Sequence, residues 1–110
     1  MLGRSAAVEA HAVVLESTPA AGATVAGPDV AIALRFNGRI DAARSRVALA
    51  GPDGKVRGVP AERPAGVDRL AARATGLVPG AYRIEWQVLA ADGHVTRGVI
   101  PFIVTAAPRP

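Results

Sequence analysis

The sequence predicts an all-β protein, an antiparallel sandwich of about seven short strands. Three observations carry that expectation. Apolar residues alternate at period two in several stretches, the mark of strands with one buried face. Turn-forming Pro and Gly recur about every ten residues, as they do in sandwiches. Strong helical periodicity appears nowhere in the chain.

The elements follow in order. Residues 1–10 hold no strand or helix pattern. Val8-Glu9-Ala10 before His11 has the residue sizes a signal peptidase accepts. Met1-Leu2-Gly3-Arg4-Ser5 does not supply the apolar stretch of a complete signal peptide. Residues 1–10 are therefore expected to be a leader remnant or a disordered tail. The domain is expected over 11–105, followed by a loose tail at 106–110.

Within the domain, residues 12–17 form a weak strand. Val30, Ile32, Leu34 and Phe36 then alternate with Ala31, Ala33, Arg35 and Asn37. Residues 42–45 make a turn of helix at most. Strands follow at 46–50 and, briefly, 55–59, joined by Gly51-Pro52-Asp53-Gly54, which has Pro to set φ and Gly to accept a positive φ. Residues 60–66 read as a loop and 68–74 as a weak strand. After Pro79-Gly80, Tyr82, Ile84, Trp86 and Val88 form the clearest alternation. Asp92-Gly93 is a hairpin signal, and Ile100, Phe102 and Val104 close the pattern. Trp86 and Phe36 are expected to anchor the core between the sheets.

Composition narrows the function. The chain has 110 residues, enough for one ordinary core, with 50% hydrophobic and 20% charged residues. There is no cysteine, which excludes disulfides, thiolate metal sites and a thiol nucleophile. The net charge is +4, but the basic residues are spread and never form a run. The four aromatics lie inside apolar alternations, so no nucleic-acid stripe is expected. No run reaches the roughly 18 apolar residues of a membrane span. Serines lack a nucleophile-elbow context, carboxylates are scattered, and glycines form no phosphate-binding fingerprint. No catalytic constellation can be argued.

The two histidines, His11 and His94, are the remaining chemistry. Asp92 and His94 flank one Gly, so a carboxylate and an imidazole can turn toward one point. The same residues also read as a simple Asp-Gly turn with a polar neighbour. His11 reads equally as a polar residue before the first strand. Placed first in a mature chain, it would offer its α-amine and its ring Nδ1 to one metal. Those two nitrogens, a nitrogen of His94 and an oxygen of Asp92 would form a tetragonal N,O set, which suits Cu(II).

Several stretches together resemble the CopC family of periplasmic copper-resistance proteins. They are His11-Ala12-Val13-Val14-Leu15-Glu16-Ser17-Thr18-Pro19, Ile32-Ala33-Leu34-Arg35-Phe36, and Gly80-Ala81-Tyr82 through Trp86 to Asp92-Gly93-His94, closed by Gly98 and Phe102-Ile103-Val104. The resemblance runs from His11 to Val104. It implies a Greek-key, immunoglobulin-like sandwich and one Cu(II) site built from His11, Asp92 and His94. It also implies a mature chain that begins at His11, and an inner-membrane copper transporter as partner. Two departures stand out. Where some members carry a Glu, this chain reads Asn37-Gly38-Arg39. The middle of the chain has no Met, so a Met-rich Cu(I) site is not expected.

The expected function is therefore a periplasmic, monomeric Cu(II)-binding protein for copper sequestration or delivery, without catalysis. Two other readings stand beside it. One is an immunoglobulin-like interaction module with no working metal site. The other is a copper oxidase that uses an N-terminal His chelate.

Overall fold

The computed structural model describes residues 12–108. The expected leader, and His11 itself, lie outside the described residues, as do Arg109 and Pro110. Nine strands are present: β1 (Val14–Thr18), β2 (Thr24–Ala26), β3 (Val30–Phe36), β4 (Ile40–Ala50), β5 (Val56–Gly58), β6 (Ala61–Glu62), β7 (Arg69–Ala74), β8 (Gly80–Ala90) and β9 (Val95–Thr105). They form a four-stranded sheet, β1-β3-β7-β6, and a five-stranded sheet, β2-β9-β8-β4-β5. The described chain crosses between sheets five times, from β1 to β2, β2 to β3, β3 to β4, β5 to β6 and β7 to β8. Among the described residues no helix is long and apolar enough to cross a membrane.

The alternation read in the sequence becomes the inner faces of the two sheets. Val30, Ile32, Leu34 and Phe36 of β3 are buried, as are Tyr82, Ile84, Trp86 and Val88 of β8 and Ile100, Phe102 and Val104 of β9. Each large apolar side chain buried this way contributes about 1.5–3 kcal/mol. Phe36 and Trp86 join the sheets edge to face, with ring centroids 5.3 Å apart and planes at 73°. Tyr82 stacks on Phe102, and its hydroxyl donates to the Val78 carbonyl at 2.7 Å. The phenol thereby keeps a partner for its one polar atom inside the core.

Nine strands replace the expected seven because β2 and β6 are too short to show an alternation. β2 is held by parallel pairing with β9, the one parallel pair in a described sheet that is otherwise antiparallel. β6 occupies part of the expected loop at 60–66; it pairs with β7 and is backed by an Arg73–Glu62 contact of 3.1 Å. The expected helical turn at 42–45 is instead a bulge in β4. Between Asp41 and Arg46, β4 spends five residues while β8 spends two, from Leu89 to Gln87. Ser45 fills the gap: its hydroxyl donates to the Asp41 carbonyl at 2.7 Å and accepts the Leu89 N–H at 3.2 Å.

Gly98 faces Trp86 across the β8–β9 ladder. A Cβ there would collide with Cζ2, Cε2 and Nε1 of the indole. Trp86 is pinned between sheets, so it cannot swing aside cheaply. Gly98→Ala is expected to destabilise the fold by about 1–3 kcal/mol. Gly38→Ala, whose Cβ would meet nothing within 4 Å, is expected to stay within about 0.5 kcal/mol of the parent. Urea denaturation of both variants checks the pair; equal midpoints would show that the indole yields.

Candidate metal centre

β8 and β9 are eleven residues each and pair without interruption from Gly80↔Val104 to Leu89↔Val95. This long hairpin carries the segment 91–94 to one end of the sandwich. The turn is closed by Ala90 N–H to the His94 carbonyl at 2.8 Å and Gly93 N–H to the Ala90 carbonyl at 2.9 Å. Gly93 takes a φ of +90°, a conformation that side chains with a Cβ resist. That backbone brings Asp92 and His94 to the same side.

Asp92 grips His94 twice. Its Oδ1 accepts the His94 N–H at 3.0 Å, and its Oδ2 lies 2.9 Å from His94 Nδ1. The two sequence readings therefore coincide: Asp-Gly is the turn, and the carboxylate and imidazole also meet. The pair stays open to solvent, with the His94 side chain 62% exposed and that of Asp92 35%. The hydrogen bond from the His94 ring, joined by the backbone N–H of the same residue, holds the Asp92 carboxyl below its usual value. A carboxylate bonded to an imidazole in this way orients the ring, as outer partners of metal-bound histidines do. An exposed carboxylate can equally supply an oxygen ligand.

The start of β1 reaches the same end. Val14 pairs with Phe36, the last residue of β3. Ile40, the first residue of β4, pairs with Ala90, the last residue of β8. The 37–39 connection thus lies between the beginning of β1 and the 91–94 turn. Ala12 is buried in the core cluster, and Ala90 packs against that cluster. Asn37 sits where the family resemblance placed an acidic residue nearby. Its Oδ1 accepts the Val13 N–H at 3.0 Å, and its own N–H donates to the Val13 carbonyl at 2.9 Å. The sequence showed Asn37 as the polar member of an alternation and within the Asn37-Gly38-Arg39 departure from the family resemblance. An Asn directly after a strand, able to accept from a neighbouring backbone, was the available signal.

Among the described residues no three His, Cys, Asp or Glu side chains cluster to hold a metal. Asp92 and His94 are a pair, and His11 lies outside the described residues. A hollow of about 420 Å³ lies at the opposite end, lined by Leu49, Pro52, Leu77 and Tyr82 among others. Asp53 is its single carboxylate and it contains no histidine, so it does not compete as a metal centre.

Two facing sheets with sheet-crossing connections and a Trp-centred core define an immunoglobulin-like sandwich, here with an Asp-x-His turn at one end. The CopC domain profile matches residues 14–105, and the chain belongs to the CopC family. It is 33% identical over 100 residues to protein YobA of Escherichia coli K12, covering 88% of this chain and 81% of that one. CopC from Methylosinus trichosporium OB3b superposes with a TM-score of 0.79 at 28% identity, covering 91% of this chain and 99% of that one. PcoC, a methionine-rich copper resistance protein from Escherichia coli, gives 0.72 at 26%, covering 87% and 100%. Membership in this family gives the chain a copper-related function.

The turn makes a pH prediction for the metal-free protein. Asp92 titrates lower in the folded chain than in the unfolded one. Its contribution to stability is therefore present above the usual carboxylate pKa of about 3.9 and is lost as pH falls through the lowered value. Carbon-detected NMR should show the Asp92 midpoint below the usual range, and His94→Ala should move it upward. An unmoved midpoint in that variant would remove His94 as the cause.

Proposed function

We propose that this protein binds one Cu(II) ion in the periplasm, for sequestration or delivery, with His11, Asp92 and His94 as ligands. The observation that carries the proposal is the Asp92–His94 contact of 2.9 Å on an exposed turn, at the end of the sandwich where β1 begins. His11, as the first residue of the mature chain, supplies its amine and Nδ1. His94 supplies the second imidazole. Asp92 supplies an oxygen, or holds the imidazole while another oxygen binds. Neutral nitrogens and one carboxylate in a tetragonal set suit Cu(II).

Chemistry of the chain supports one site rather than two. The only Met is Met1, so there is no thioether set for Cu(I), in contrast to the methionine-rich PcoC it resembles. Sequestration needs affinity and no catalytic group, and the reading is of a carrier rather than an enzyme. The chain acts as a monomer, and an inner-membrane copper transporter is the partner that the family resemblance implies.

Binding must displace a proton from the α-amine, whose ordinary pKa is about 7.7–8.0. Cu(II) affinity should therefore rise steeply from pH 6 to about 8. The deciding experiment is a Cu(II) titration followed by electron paramagnetic resonance on two forms, the 110-residue chain from Met1 to Pro110 and a chain beginning at His11. The His11 form is expected to bind one Cu(II) with a nitrogen-rich tetragonal spectrum, and the longer form to bind weakly. His94→Ala should abolish tight binding, and Asp92→Asn should weaken it by about 10–100-fold. Specific binding by neither form would leave an immunoglobulin-like interaction module as the better reading.

A further inference from the structure

Resting on that copper reading, we infer that Asn37 is a positioning residue for the N-terminal ligand: it fixes the chain two residues beyond His11, at the end that carries Asp92 and His94. β1 is an edge strand with β3 as its single neighbour in the sheet. Its ladder is irregular at the start. Leu15 is an extra residue between the Val14↔Phe36 and Glu16↔Arg35 pairs. β3 then ends at Phe36, so Val13 has no regular strand residue to pair with.

Asn37 takes the place of that missing partner. Its backbone N–H reaches the Val13 carbonyl at 2.9 Å, and its side-chain Oδ1 takes the Val13 N–H at 3.0 Å. Both backbone groups of Val13 are thereby held by one residue. The Val13 side chain contributes little burial, being 47% exposed, whereas its neighbour Ala12 is buried. The direction of the chain leaving the domain is set by these two anchors, the amide and the buried methyl. His11 is two residues ahead of Val13 in the chain, and two extended residues span at most about 7 Å. A ligand held in place beforehand loses less freedom on binding, and the metal gains that difference in affinity.

Residue chemistry supports the assignment. An amide accepts a backbone N–H without adding charge. A carboxylate at this place would make the same bond but would also attract the ion directly. Asn37 therefore separates holding the chain from binding the metal.

The test is a double-mutant cycle in the chain beginning at His11, which retains all nine described strands and the whole core. Cu(II) affinity is measured by competition titration for the parent and Asn37→Ala, and for both again with His11→Ala and an acetylated α-amine, the background that removes both N-terminal nitrogens. Asn37→Ala should lower affinity about three- to tenfold when His11 is present and leave it unchanged in that acetylated His11→Ala background. Asn37→Asp should recover the loss. Any purely electrostatic gain from Asp is read from Asn37→Asp in the acetylated His11→Ala background. Amide exchange of Val13 should quicken in Asn37→Ala while that of Ile84 and Val88 stays slow, showing that the fold is kept. A loss of equal size in both backgrounds, or no loss in either, overturns the assignment while leaving the copper site standing. A parent whose affinity ignores His11→Ala with the acetylated amine overturns both.

Discussion

The fold depends on one contact above the others, the seating of Trp86 between the sheets. Its indole lies against Phe36 of the opposite sheet on one side and over the bare Cα of Gly98 on the other. A Cβ at residue 98 would push the indole out and open the layer that Val88, Ile84 and Leu34 fill. β8 and β9, which carry this contact, stay in register over their whole paired length. A rigid hairpin delivers Asp92 and His94 to a fixed place; a twisted or slipped one would deliver them elsewhere. The core therefore does more than stabilise: it aims the turn.

The parts of the fold that were legible in the sequence are those in which one strand sees a buried face and a solvent face. β3, β8 and β9 announced themselves by strict alternation, and Phe36 and Trp86 by being the bulky members of it. What was hidden depends on partners distant in the chain. β2 and β6 exist because β9 and β7 offer them a paired edge, and two or three residues carry no period of their own. The bulge at 42–45 shows no strand alternation in the sequence; in the fold Ser45 bonds the Asp41 carbonyl four residues back, as in a helical turn, while the chain stays extended.

The site was half legible. Asp92 and His94 could be named from spacing, and Gly93 from the turn it must make. That the carboxylate would grip both the backbone and the ring of His94 was not in the spacing, because an Asx turn can form without engaging the second residue's side chain. The role of Asn37 was invisible for a different reason. It acts on Val13, 24 residues away, through a contact that only the closing of β1 onto β3 creates. PcoC is a methionine-rich protein, whereas the only Met of this chain is Met1.

The course of β9 gives the molecule a polarity. It leaves the 91–94 turn and runs eleven residues to Thr105, about 35 Å at the rise of an extended strand. β1 begins at the pole that carries that turn, so the described segment enters the sandwich at one pole and leaves it at the other. Any tether on the carboxyl side would hold the domain by its far pole and turn the Asp92–His94 end outward, like a lamp on a stalk. Anything attached on the amino side would instead join at the pole that carries the turn. For attachment to a surface, a label or a neighbouring domain, the two termini of this protein are not equivalent choices.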